Sequence, residues 1–153
     1  MIVGLLIAHG LVAVALLGAI THQLLGAGAQ LLTENAAFWR HYHQVRSALF
    51  TNAVTLLFGL SVLGGLLLYP VYRMDARIHF EQMGLSWAIG LFELKEHFGA
   101  IGLATLPLYR HLWRPDSGAT DRARLIITGV LAFIVWWNFL VGHVLNNIRG
   151  LFQ

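Results

Sequence analysis

The chain has no cysteine. That excludes disulfides, iron–sulfur clusters, thiolate metal sites and the C-x-x-C-H attachment of a c-type haem. Charge is scarce as well. Charged residues make up 11% of the sequence, against about 25% in a soluble domain. Hydrophobic residues make up 58%, and the mean hydropathy is +0.68. A soluble globular domain is therefore not expected; an integral membrane protein is. The basic residues form no stripe interleaved with aromatics, so nucleic acid is not an expected partner. The lipid bilayer is.

Four apolar segments organise the 153 residues. They run over about 2–27, 47–69, 83–113 and 123–148, and each can provide the roughly 20 residues that cross a hydrocarbon core. The runs are continuously apolar rather than alternating, which argues for helices and against a β-barrel. The connections are short. The first, TENAAFWRHYHQVR, offers Thr33 or Asn35 as the cap of a helix that begins outside the core. The second, YPVYRMDARIHFEQ, is expected to break at Pro70. The third, RPDSGATDRAR, holds Pro115 and Gly118, both helix punctuators. Short connections join antiparallel neighbours, so the expected fold is all-α: one domain, an antiparallel up-down four-helix transmembrane bundle.

MIVGLLIAHGLVAVALLGAITHQ lacks a basic leader, and its apolar run is too long for a signal peptide. It reads as a retained first span. The loops after spans one and three carry Arg40, Arg46, Arg110, Arg114, Arg122 and Arg124; the opposite side carries Arg73, Arg77 and Arg149. Basic residues favour the cytoplasmic side. The expectation is a multi-pass protein of the bacterial inner (plasma) membrane with both termini outside, in the periplasm.

The third segment contains FELKEHFGA, which puts Glu93, Lys95, Glu96 and His97 roughly 15 to 20 Å into a span. A charge at that depth costs roughly 3 kcal/mol on insertion scales, so such residues face a bundle interior or another chain. Structural pairing between helices would explain the cluster; so would a cofactor, a quinone or a proton path, and the coincidence of several ionisable groups favours function. Glu93 and His97 share one helix face, about 40° apart, while Lys95 lies about 160° from His97. Glu93 and His97 are thus expected inward. Glu96, about 100° from His97, is expected to flank the same interface as His97, while Lys95 is expected to snorkel or to reach another subunit.

His9 and His143 lie about 10 Å below the outer surface on spans one and four. Two imidazoles at one depth on neighbouring helices can ligate a haem iron from both sides, and a b haem needs little beyond two such ligands and an apolar slot. Gly4, Gly10, Ala13 and Gly142 leave room for one. His22 is 13 residues from His9, which turns it about 140° away, so a second haem requires bent helices. His22 is instead expected near His97 or Asn52. Trp136, Trp137 and Asn138 suit packing and a helix-to-helix hydrogen bond, or a wall for a haem or quinone ring. His41 and His43 suit an interfacial belt, and His79 a loop. Span two has no ionisable residue in its core and reads as scaffold.

A non-haem metal held by His9, Glu93, His97 and His143 is the alternative use of the same residues. The Glu-x-x-His pair of di-iron bundles and the H-E-x-x-H motif are both absent.

Histidines at matched depth, together with the lack of any soluble domain, make the chain resemble the small four-helix b-type cytochrome subunits that anchor respiratory and redox enzymes. The resemblance is architectural and involves no sequence motif. It implies an electron-transfer subunit rather than an enzyme in itself, with one haem b or two, a quinone or periplasmic cytochrome as redox partner, and other membrane subunits around it. The competing expectations are a cofactor-free accessory subunit of a larger complex and a non-haem metal enzyme of the membrane.

Overall fold

The computed structural model describes residues 2–29 and 46–151. They are helical almost throughout. Helix α1 is Ile2–Ala29. A 3-10 turn, Ser47–Leu49, leads into α2, Phe50–Val71. A π-helical turn, Tyr72–Ala76, joins α2 to α3, Arg77–Gln82. Helix α4 is Ser86–Leu112 and α5 is Asp121–Leu151. The possible caps Thr33 and Asn35, and His41 and His43, lie outside the described residues.

Among the described residues, three stretches are long and apolar enough to cross a membrane: Ile2–Ala29, Ser47–Gln82 and Asp121–Ile148. Helix α4, at 27 residues, spans about 40 Å. It has the length but not the apolar character, because Glu93, Lys95 and Glu96 interrupt it. The other helices expose large apolar side chains: Val3, Leu11, Leu56 and Leu66 are each more than half exposed.

The break expected at Pro70 does not occur. Pro70 sits inside α2, and the helix runs on to Gln82. Proline removes one backbone donor and crowds the preceding turn. The wider π-helical turn that follows lets the rod continue. His79, expected in a loop, therefore lies on α3, its Nε2 enclosed without a partner. The rod ends only at Gly84, whose φ of +68° suits a residue without a side chain. The amide of Leu85 donates to Phe80 O at 2.9 Å, and Leu85 packs in one cluster with Phe80. That pairing closes the helix end and starts α4 directly.

The second turn is held by polar groups. Thr120 Oγ1 accepts from the Ala123 amide at 3.2 Å and caps α5. Arg124 donates to Leu112 O at 3.0 Å and so caps the end of α4, while its guanidinium lies over the Trp113 ring.

Helix α1 packs along both α2 and α5, and α5 along α1 and α4; α2 and α4 touch more sparingly. Buried residues recur at helical spacing: Leu16, Ile20, Gln23 and Ala27 on α1; Thr51, Val54 and Phe58 on α2; Gly102, Leu106 and Tyr109 on α4. With Leu131, Ile134 and Val135 of α5 they make one core. Gly102 brings α4 close to α2, because a methyl there would strike Phe58 and stand 3.1 Å from Ile134. A second, smaller core joins Ala76, Phe80, Ala88, Val141 and Leu145, and it takes nothing from α1. The first half of α1 is therefore left largely exposed, and the molecule is closed at one end and open at the other.

A polar clamp fastens the closed end. Gln23 is fully buried. Its Nε2 donates to Thr51 Oγ1 at 3.2 Å, and its Oε1 accepts from the Tyr109 hydroxyl. One side chain thereby ties α1 to α2 and α4. Trp113 Nε1 adds a bond to Thr128 Oγ1 at 3.0 Å between α4 and α5. Removing one partner strands a buried polar group, at a cost of about 1–3 kcal/mol. Tyr109→Phe is expected to destabilise by that amount in thermal unfolding in detergent. Gln23→Leu combined with Tyr109→Phe is expected to cost clearly less than the sum of the two single changes.

Candidate functional site

The open end contains two adjoining cavities, of about 490 and 390 Å³. His9, Tyr69, Lys95, Glu96, Asn138 and Phe139 belong to the walls of both. These residues come from α1, α2, α4 and α5, so the two spaces form one groove with a shared polar wall. The larger lobe runs toward Leu16, Phe58 and Val135 at the edge of the main core. The smaller runs toward Tyr72, Phe92 and His143.

His9 is partly buried, in the first half of α1. Its Nδ1 is enclosed without a hydrogen-bond partner. The reason is Gly64 of α2: a Cβ there would stand 2.8 Å from Nδ1. Gly64 thus provides the space that the imidazole fills. A Cβ on Gly65 would meet His9 Cε1 at 3.9 Å, an ordinary contact. Span two, which reads from sequence as scaffold, is also a wall: Ser61, Gly65 and Tyr69 all line the groove.

Lys95 enters the groove from α4. Its ammonium lies 5.0 Å from the Phe92 ring centroid, and its Cε passes 3.6 Å from where a Gly142 side chain would begin. Phe92 stacks on Tyr72, and the Tyr72 hydroxyl is likewise enclosed without a partner. Glu96 reaches the groove from its exposed rim. Asn138 lines both lobes, but its Nδ2 donates to Ile134 O of its own helix at 2.8 Å, not to another helix.

The residues of FELKEHFGA divide between the groove and the outer face of α4. Lys95 is inside; Glu93 and His97 are exposed. His97 Nδ1 donates to the Glu93 carbonyl at 2.7 Å, within its own helix. The helical angles separate Lys95 from His97 correctly, but they do not say which side meets α5. Gly142 settles that, because it leaves room for the lysine stem.

His143 lines the smaller lobe from an exposed position and stacks on Phe139 with ring centroids 6.4 Å apart. His9 and His143 thus share one cavity wall. His22 does not belong to it; its ring stacks on Phe50 at 5.9 Å. Trp136 bonds Thr21 Oγ1 at 3.1 Å, a link between α5 and α1 outside the groove. Among the described residues no three His, Asp or Glu side chains are grouped closely enough to hold a metal ion. His9, Glu93, His97 and His143 accordingly do not converge on a four-ligand centre.

From sequence, GLSVLGG and GGLLL supply small residues for close helix packing, and Gly64 does this by admitting the His9 ring; the place of Ser61, Tyr69 and Tyr72 in the groove wall has no signal in the sequence. Compared with family models, with curated proteins and with solved structures, the chain matches none. What the fold and site define is therefore a class: an all-helical protein with membrane-length apolar helices and a polar-walled groove at one end.

Gly64→Ala is expected to force the His9 ring aside and to destabilise the protein by about 1–3 kcal/mol. Gly65→Ala is expected to be neutral or slightly stabilising, since helix propensity favours alanine by up to about 1 kcal/mol. Unfolding of the two variants side by side checks both.

Proposed function

We propose that the chain is an antiparallel, up-down four-helix subunit of the bacterial inner membrane, with both termini on the periplasmic side, that holds a b haem in the open-end groove for electron transfer within a redox complex. The observation that carries this reading is that imidazoles from α1 and α5, His9 and His143, share the wall of one largely apolar cavity. The donor set suits the group: two neutral imidazoles are the axial ligands a b haem takes. Gly10, Ala13, Gly65 and Gly142 keep side-chain bulk out of the slot. His9 turns its Nδ1 edge toward Gly64, which leaves the other ring nitrogen for a ligand. When bound, haem would supply one-electron redox chemistry. The chain supplies the ligands, the apolar surroundings that exclude water, and Glu96 at the rim as a group able to exchange protons with a neighbouring quinone.

A second reading, of a cofactor-free accessory subunit, draws on a different observation. Glu93 and His97 stand on the outward face of α4. If α4 crosses the bilayer, that face would be costly against lipid, and a helix of another subunit would cover it. The two readings are compatible in one complex and separable by pigment.

The test is haem content per chain after purification in mild detergent, for wild type and three variants. Wild type is expected to carry haem. His9→Ala and His143→Ala are each expected to lose it or to lose its low-spin spectrum, while His97→Ala keeps both. A colourless wild type would leave the accessory reading standing.

A further inference from the structure

The groove holds a cation that the protein itself does not neutralise. Among the described residues Lys95 makes no hydrogen bond and no ion pair; its one close partner is the Phe92 ring. The ion pairs are elsewhere: Arg77 with Glu81, Arg114 with Asp116, Arg124 with Asp121. Glu96 shares the groove wall but keeps more than 4 Å from the ammonium, on the exposed rim. Lys95 is half-buried in a groove whose wall also includes Leu66, Leu103, Val135 and Phe139, and its three donors have no acceptor from the described residues. An anion entering the groove would find this ammonium free to pair with it, beside surfaces that suit an apolar body.

We propose that Lys95 is the anchor for a carboxylate carried on an otherwise apolar ligand, with the body of that ligand in the groove. On the haem reading, on which this inference rests, the carboxylate is a propionate. The chemistry of the wall selects it: the Lys95 ammonium as the cation, and aliphatic and aromatic surfaces for the body of the ligand. Glu96 opposes a second negative charge at the rim, which limits the anchored acidic groups at Lys95 to one. Lys95 acts here as a binding and orienting residue, not as an iron ligand.

The test compares haemin with haemin dimethyl ester, whose propionates carry no charge. Both are titrated into the full chain in detergent, into wild type and into Lys95→Met, which keeps the length and apolar stem of the side chain. Wild type is expected to bind haemin at least about tenfold tighter than the ester, as a desolvated charge pair would allow. Lys95→Met is expected to bind haemin no better than the ester, with the ester's affinity and the low-spin spectrum unchanged. Equal binding of the two ligands by wild type would overturn the proposal, and so would a Lys95→Met variant that still discriminates. If neither haem binds, it is the haem reading that fails. Spin-labelled stearate then decides on Lys95: immobilisation by wild type but not by Lys95→Met upholds a carboxylate anchor, and no difference between them removes it.

Discussion

Gln23 is the side chain on which the arrangement turns. An amide buried among apolar helices is tolerable only when both ends are satisfied. Here Thr51 and Tyr109 satisfy them, from two different helices. Apolar surface alone holds membrane helices together weakly, because lipid is as apolar as leucine. Specific bonds and close contacts must fix the register. The Gln23 clamp does so at one end, with Gly102 letting α4 approach α2 beside it. With that end fixed, the other can stay loosely filled.

The groove follows from this asymmetry. The second core joins α3, α4 and α5 and leaves α1 out. Space then remains between the first half of α1 and the rest, and the residues around it are chosen for it. Gly64 accommodates His9, Gly142 accommodates the stem of Lys95, and Tyr72 with Phe92 builds an aromatic floor. Polar groups that would be liabilities in a sealed core stand together on one wall. Their grouping is what makes the groove a candidate site rather than a packing fault.

Much of the architecture was legible in the sequence. Continuous apolar runs with short polar connections announce long helices, and counting residues inward from the segment ends singled out His9 and His143, which line one cavity. Other features were not legible. A helical wheel gives the angle between Lys95 and His97 but not which of them meets the bundle; that depends on Gly142 of a distant helix. Pro70 reads as a break because a proline costs a helix one hydrogen bond, and only the π-helical turn beyond it shows how the rod recovers. The clamp was hidden because Gln23 and Tyr109 stand 86 residues apart, and nothing local marks them as partners.

On the proposed reading, His9 and His143 would together hold one haem iron. Low-temperature electron paramagnetic resonance of the oxidised, purified protein tests this most directly. The account predicts a low-spin ferric signal of the bis-imidazole type, lost when either histidine is replaced. A high-spin signal, or a low-spin signal that survives replacement of both histidines, would contradict it.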